Sequence, residues 1–398
     1  MKTAGIICEC NPLHGGHLYL LERARAGGAE AVIAVMSGCF VQRGEAAVAD
    51  PYARAEILVR AGFDAVVELP YPYAAASAEF FGAAGVEILD RLGVDELWFG
   101  SESGDLDALA RCAEVAESDA FAQRYRECDK RTGSARAYFD CLREACADAA
   151  ISFDPNDILA LSYLRAIRKT GARLRPVTVR RVGCGYAETA LSNTEFPSAT
   201  ALRRAWRKEG IDSILPLLPP ACAEILARES ETRRAPATLS AVSDLILGTL
   251  RLRDPAWLSG VAELDGGLSG RVSRAAWRAT SYGELLELCA SKTYPDARVR
   301  RGILFALTET RPADLRAPIA YARLLAANRV GCSYLSAVRK STRIPVVTRR
   351  TDLPQSDAAR AQLEREERAA ALWSLTLPAR ESAEVLLRRT PVILDTEK

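Results

Sequence analysis

The sequence predicts an α/β fold, a doubly wound and mostly parallel sheet, followed by a mainly helical C-terminal domain. Three observations predict it. β-prone apolar runs alternate with amphipathic helical stretches through the first half of the chain, which is the pattern of βαβ units. The turn NPLHGGH lies directly between the first strand and the first helix, at the end of the sheet where such folds hold ligands. After about Ser198 the strand signals thin out, and segments rich in Ala, Leu and Arg take over.

Each element has its own signal. Residues 3–10, TAGIICEC, are apolar, β-prone and too short for a helix. HLYLLERARAGG has helical spacing and stops at a glycine pair. AEAVIAVMSG is a buried-strand run ending in a turn. In DPYARAEILVRAG, Asp50 and Pro51 supply an N-cap and a first helical residue. FDAVVELP is a third strand, SAEFFGAAGVEILDRLG a helix, and VDELWFGSE a fourth strand. A helical stretch runs from about Leu106 to Lys169, and RPVTVRRVG is one more strand. SATALRRAWRKEG, LSAVSDLILGTLRL and YGELLELCA follow as helices, with IPVVTRR and TPVILD as late strands. The expected division is an α/β catalytic domain at residues 1–200 and a helical domain at 201–398.

Composition narrows the function classes. Of 398 residues, 49% are apolar and 26% charged, an ordinary globular balance. No apolar run approaches the roughly 20 residues that a membrane helix needs, and MKTAGIICE runs straight into a strand without signal-peptide architecture. The cytoplasm is therefore the expected compartment, with no membrane. The 11 cysteines are scattered, odd in number and without a Cys-x-x-Cys pair, so buried free thiols are expected rather than disulfides or a zinc site. Net charge is only +2. Two local basic clusters stand out: Lys292, Arg298, Arg300 and Arg301, and then Arg339, Lys340, Arg343, Arg349 and Arg350. A solvated basic face is the plain reading of such clusters.

The chain has two histidines, His14 and His17, and both fall in that first turn. At i and i+3 of a starting helix they share one face. A helix N-terminus offers free N–H groups and partial positive charge, which suits phosphate, and Gly15 and Gly16 let a nucleotide approach the backbone. Imidazolium groups here could donate to phosphate oxygens and stabilise charge on a pentavalent phosphorus. Two incidental surface histidines are the competing reading, which their exclusive use at this turn disfavours. In SGCFVQRGE, the residues Gln42, Arg43 and Glu45 are odd in a turn unless they bind something.

HGGH after the first strand resembles the His-x-Gly-His signature of the nucleotidyltransferase superfamily, and PSATALR resembles its second signature, with Ser198, Thr200 and Arg203 kept. The resemblance implies a Rossmann-like nucleotidyltransferase fold, with Ser198 and Thr200 bonding phosphate and Arg203 offering a charged fork. A closer resemblance, to the bacterial tRNA(Met) cytidine acetate ligase family, rests on GIICECNPLHGGHLY, MSGCFVQRGEAAVAD, RAEILVRAGFDAVVELP, SAEFF, LGVDELWFGSESGD, PNDILALSY, VRRVGCGY, SATALRRA and, in the C-terminal half, KTYPDARVRR. It implies activation of acetate by ATP as acetyl-adenylate and transfer to the wobble cytidine of elongator tRNA(Met), giving N4-acetylcytidine. It implies catalytic roles for His14 and His17. The nucleotide-binding loop would comprise Ile7, Cys8, Glu9, Cys10, Asn11, Pro12, Leu13, His14, Gly15, Gly16, His17, Leu18, Tyr19 and Leu20. Gly100, Asn156 and Arg181, with Arg180 as a near competitor, would complete the ATP site. The departures from the family pattern are Cys10, Leu13 and Gly15 for Tyr, Phe and Asn, and Cys39 for Asn.

The expected partners are thus ATP, Mg2+ on its triphosphate, acetate and elongator tRNA(Met), with no stable protein partner and no protein-bound metal. Lys292, Arg298, Arg300, Arg301, Arg339, Lys340 and Arg343 are the candidate tRNA contacts. The alternative is a small-molecule adenylyltransferase or acyl-adenylate-forming ligase without an RNA substrate. The helical extension with its two basic clusters favours the RNA enzyme.

Overall fold

The computed structural model describes residues 1–128, 134–147, 151–181 and 197–395. Its strands are β1 (Thr3–Cys8), β2 (Ala31–Ser37), the short hairpin β3 (Phe40–Val41) and β4 (Glu45–Ala46), β5 (Ala65–Leu69), β6 (Glu96–Ser101), β7 (Arg175–Arg180), β8 (Ala322–Asn328), β9 (Val346–Val347) and β10 (Val392–Leu394). One sheet runs in the order β10-β8-β5-β2-β1-β6-β7, with β9 beside β8. The block from β5 to β7 is wholly parallel. β1 and β2 are buried along their whole length, as strands covered on both faces must be, which is why their sequences read as unbroken apolar runs.

The first helices cover the two faces. On one lie α1 (Gly15–Ala26) and α2 (Pro51–Arg60), and on the other α3 (Ala78–Leu92), α4 (Leu106–Ala116), α5 (Asp119–Glu127), α6 (Ser134–Ala145) and α7 (Pro155–Thr170). The expected single helical stretch from Leu106 to Lys169 is therefore four helices. Asp50 caps α2 by accepting from the Ala53 N–H at 2.8 Å, with Pro51 in the first turn, as its sequence foretold.

After α8 (Ala199–Glu209) the chain is mainly helical: α9 (Pro220–Glu231), α10 (Ser243–Leu252), α11 (Pro255–Ser259), α12 (Leu268–Arg278), α13 (Tyr282–Cys289) and α14 (Asp296–Leu307). It then returns to the sheet. β8 pairs antiparallel with β5 and parallel with β10, so the sheet takes strands from both sides of residue 200. The return is anchored at Asn328, whose N–H donates to the Asp64 carbonyl at 3.0 Å and whose amide donates to the Asp64 carboxylate at 3.0 Å. α15 (Arg329–Val338), α16 (Asp357–Ser374) and α17 (Ala383–Leu387) complete the chain. Trp373 of α16 is fully buried and donates to the Ala47 carbonyl at 2.9 Å.

Ten cysteines fall among the described residues and all are free thiols, most of them buried. Cys184 lies outside the described residues, as does the end of VRRVGCGY. No described helix is long and apolar enough to cross a membrane.

The end of the sheet that faces the NPLHGGH turn is fixed by one side chain. Arg54 of α2 is 1% exposed. It donates to the carbonyls of Ala49 at 3.1 Å, Glu9 at 2.8 Å and Ser37 at 2.8 Å, and to that of Gly38. These carbonyls belong to the loops leaving β1 and β2 and to the segment entering α2. A buried carbonyl left without its donor costs about 1–3 kcal/mol. Arg54→Met should therefore lower the urea midpoint markedly, by roughly 3 kcal/mol or more in stability, and lose ATP affinity with it. An unchanged midpoint would show that the loops hold without Arg54.

Candidate active site

The carboxyl ends of β1 and β6 border a crevice at the point where the strand order reverses, which is the ligand position of open α/β sheets. A cavity of about 720 Å³ opens there. Of the predicted loop, Ile7, Cys8, Glu9, Cys10, Asn11, His14, Gly16, His17, Tyr19 and Leu20 line it, joined by Gly100, Asn156, Arg181, Ser198 and Thr200. Pro12, Leu13, Gly15 and Leu18 do not. Leu13 is instead fully buried in the core beneath the turn, and Leu18 packs against that core. Cys10 takes a left-handed φ of 45° as the chain turns out of β1.

The two histidines start α1 by capping it on each other. His14 is the N-cap, and its Nδ1 accepts from the Gly16 N–H at 3.1 Å. His17 Nδ1 accepts in turn from the His14 N–H at 3.3 Å. This is a capping box built from imidazoles. The rings lie 4.1 Å apart between centroids. With both Nδ1 atoms acting as acceptors, the proton of each ring sits on Nε2. Burial, together with His17, Arg181 and Arg203, holds His14 well below the usual imidazole range. Burial and then Arg181 lower His17 to about 4. The expected imidazolium pair is thus corrected for the free protein: at neutral pH the turn presents two neutral rings, each with an Nε2–H donor. Two cations 4.1 Å apart beside arginines would repel each other, and neutral donors avoid that cost.

The end of the cavity at the exits of β6 and β7 is fixed by a reciprocal clasp. Glu102, just past β6, accepts from the Asn156 amide at 2.6 Å and from the Asp157 N–H at 2.7 Å. Asp157 accepts from the N–H groups of Glu102 at 3.0 Å and Ser103 at 3.2 Å. The Asn156 carbonyl oxygen faces Arg181 at 3.4 Å. The stem of Arg181 lies over Gly100, where any Cβ would stand 3.2 Å from its Cγ. Arg180 also lines the cavity and is exposed.

α8 closes the side of the cavity that faces the histidines. Ser198 caps it, accepting from the Ala201 N–H at 3.2 Å. Arg203 does not offer the free fork expected of it. It is buried and braces the turn, donating to the Asn11 carbonyl at 2.9 Å and to Glu45 at 3.1 Å. Gln42 and Arg43 line the cavity as their odd composition suggested, and Arg43 reaches the Thr200 hydroxyl at 3.4 Å. Glu45 instead serves the framework, pairing with Arg300 of α14 at 2.8 Å. The hairpin tip behind it packs on α14 so closely that a Cβ at Gly44 (φ 69°) would stand 2.5 Å from the Arg301 nitrogen. Glu9 is half-buried in the cavity wall, and one of its oxygens accepts from the Gln42 N–H at 2.9 Å. Desolvation raises its pKa against the lowering pull of Arg43 and Arg203. Among the described residues no cluster of His, Cys, Asp and Glu could hold a metal ion.

Sequence reasoning missed the opposite wall. Phe81, Tyr125, Tyr138, Phe139, Leu159 and Ser162 line it from α3, α5, α6 and α7. No local pattern distinguishes these aromatic residues from ordinary core.

The basic clusters part company. Arg298 pairs with Asp265 at 2.7 Å, Arg301 with Glu263 at 3.0 Å and Arg300 with Glu45, and all three are half-buried. Lys292 is exposed in the segment leading into α14, whose Ala297 and Arg301 line the cavity. Arg339, Lys340 and Arg343 are exposed, but Arg343 bonds Asp90 at the end of α3. That places the second cluster at the end of the sheet away from the cavity. Arg350 pairs with Glu367 at 2.7 Å.

Having only two histidines makes the protonation state directly measurable. Ring nitrogen spectra of the free protein at pH 7 should show both imidazoles neutral and protonated on Nε2, with His17 titrating near pH 4. Since burial depresses these values, the neutral rings favour folding above about pH 6.5, and that contribution fades as pH falls toward 4. Titration of either ring near 6.5 would contradict the geometry.

Comparison with known proteins agrees with this architecture. The sequence model of the HIGH Nucleotidyl Transferase family matches residues 1–386. The tRNA(Met) cytidine acetate ligase of Syntrophotalea carbinolica is 37% identical over 95% of both chains. That of Bacillus subtilis is 32% identical over 88% of this chain and 87% of its own. The crystal structure of apo Thermotoga maritima TmcAL superposes with a TM-score of 0.94 at 32% identity, covering both chains completely. The same protein bound with α-thio ATP gives 0.91 at 31% identity, again over the whole of both chains. Fold, turn and relatives converge: the chain belongs to the tRNA(Met) cytidine acetate ligase family of HIGH nucleotidyltransferases.

Proposed function

We propose that this protein activates acetate with ATP and acetylates the wobble cytidine of elongator tRNA(Met), forming N4-acetylcytidine. The observation that carries the reading is the pair of preset Nε2–H donors on the first turn of α1, in one cavity with Ser198, Thr200, Asn156 and Arg181. The names of its relatives and the nucleotide held by the Thermotoga protein support it.

In the first step an acetate oxygen attacks the α-phosphorus, and pyrophosphate leaves with the electron pair of the broken P–O bond. His14 and His17 donate to the phosphate oxygens as charge builds there, and the amino end of α1 adds its dipole. Hydroxyls of Ser198 and Thr200 hold the leaving phosphates. Gly100, Asn156 and Arg181 bind the nucleoside end. Arg203 is a positioning residue, since it holds the turn through the Asn11 carbonyl. In the second step the cytidine N4 attacks the acetyl carbonyl, AMP leaves and N4 loses a proton.

Mg2+ fits this arrangement as a cation carried by the triphosphate. Among the described residues lining the cavity, the carboxylates are the half-buried Glu9 and the exposed Glu79, and one oxygen of Glu9 is already engaged. The metal would rest chiefly on phosphate oxygens and water and would neutralise part of the triphosphate charge.

The assay is direct: ATP, labelled acetate and total tRNA, followed by digestion and detection of acetylcytidine. His14→Ala and His17→Ala should each slow acetate-dependent pyrophosphate release by about 100-fold or more. Near wild-type rates in both would sink the catalytic assignment. Adenylation without any acetylated RNA would favour the small-molecule ligase.

The RNA grip is proposed for exposed cations around the cavity mouth: Arg180, Lys292, and Arg204 and Lys208 on α8. Arg339, Lys340 and Arg343 lie too far round the sheet to hold the same anticodon arm. Neutralising Arg204, Lys208 and Lys292 together should weaken tRNA binding and lower its salt slope by about 2–3. Arg300→Gln should instead impair adenylation, because Arg300 steadies Glu45 and hence Arg203. Unchanged slopes in the triple variant, with a flatter slope on removing Arg339 and Lys340, would move the RNA to the other end.

A further inference from the structure

The cavity has two walls of different chemistry. The phosphate groups of the reaction belong to the α1 and α8 side, where the histidines and α8 N-terminus lie. The opposite wall is a lobe of Phe81, Tyr125, Tyr138, Phe139, Leu159 and Ser162, on the α3–α7 face of the sheet. The carboxyl ends of β1 and β6 run between the two walls, so a ligand in the lobe adjoins whatever is held at the α-phosphate. The first step does not account for this lobe. Acetate is too small to fill it, and the nucleoside of ATP finds its polar partners at Asn156 and Arg181.

We propose that the lobe is the acceptor site, a slot for the extruded pyrimidine base of the RNA substrate. The proposal rests on the function argued above and names where the second substrate enters. A base taken out of its stack needs aromatic or apolar walls and a few polar groups for its edge. The walls are present: Tyr138 makes edge contacts with Tyr125 at 5.3 Å and Phe139 at 5.2 Å between centroids, and Arg165 lies 5.8 Å from its ring centre. The polar groups are present as well. The Tyr138 hydroxyl is buried beside the lobe and, like several other buried polar atoms, has no hydrogen-bond partner among the described residues. Ser162 donates to the Ile158 carbonyl at 2.9 Å, which leaves its oxygen free to accept from an exocyclic amine. Entry from this side brings N4 to the acetyl carbonyl from the face opposite the histidines, so the amine need not cross the phosphate side from which pyrophosphate leaves.

The test separates the two half-reactions. Tyr125→Leu and Phe139→Leu in the full-length protein should lower kcat/KM for tRNA by about tenfold or more, the scale of one lost base stack. Acetate-dependent ATP–pyrophosphate exchange and KM for ATP should stay within about twofold. Leu159→Trp fills the lobe without removing an aromatic neighbour, and it should block transfer while sparing exchange, whatever the stability of the other variants. A raised KM for ATP with unchanged tRNA kinetics would place adenine in the lobe and overturn the proposal. Unchanged tRNA kinetics in the well-folded Leu159→Trp variant would overturn it too. Wild-type protein that exchanges pyrophosphate but never acetylates tRNA would remove the functional reading itself, and the acceptor slot with it.

Discussion

The site depends on the burial of one guanidinium. Arg54 draws together the backbone carbonyls of the loops that leave β1 and β2, and those loops carry Glu9, Cys10, Asn11, His14, Gln42 and Arg43 of the cavity lining. A buried arginine is costly unless its donors are matched. Here the match is with backbone oxygens, whose positions the strands already fix. The side chain thereby converts two flexible strand exits into one rigid rim. The NPLHGGH turn leaves that rim with Cys10 in a left-handed conformation and delivers His14 to the start of α1.

Once the turn is placed, the histidines need no further support to choose their tautomer. Each satisfies a backbone N–H that a helix start would otherwise leave open, and doing so commits Nδ1 as an acceptor. Capping therefore uses one edge of each ring and leaves the Nε2 edge for the catalytic role proposed above. Burial first, and the surrounding arginines after it, suppress protonation while the site is free. An arriving triphosphate reverses that bias, because its negative charge favours the protonated form. The site thus avoids stored cationic repulsion, yet it can gain positive charge when the reaction creates negative charge.

Local chemistry was legible in the sequence, and partnership was not. Asp50 with Pro51 acts on its chain neighbours, so its capping role could be read in place, and the spacing of the histidines put both at one helix start, whereas their capping of each other was not read. β8 could not be read in place, since ARLLAAN uses the same Ala, Leu and Arg as the helices around it and becomes a strand only because β5 offers an edge. The basic residues of α14 failed for a related reason. Their acidic partners Glu45, Glu263 and Asp265 are distant in sequence, so a run of arginines read as free charge is in fact framework. The aromatic lobe was invisible because its residues come from four helices, each an ordinary amphipath on its own.

The same long-range pairing bears on how the two halves of the chain divide the work. A boundary near residue 200 suggests one part for adenylation and another for RNA. The structure runs a continuous brace across it: Asn11 to Arg203, Arg203 to Glu45, Glu45 to Arg300. The backbone of α14 packs against Gly44, between the members of that chain. The helical segment therefore contributes Ala297 and Arg301 to the cavity wall and is braced to the sheet half of the chain. With Lys292 leading into α14 and Arg204 facing out from α8, the surfaces that would meet RNA are continuous with the helices that hold the phosphate side. On the proposed two-step reaction, an acyl-adenylate awaiting a macromolecular acceptor would gain from such continuity, since the groups proposed to orient the RNA and those proposed to hold the intermediate would share one rigid frame.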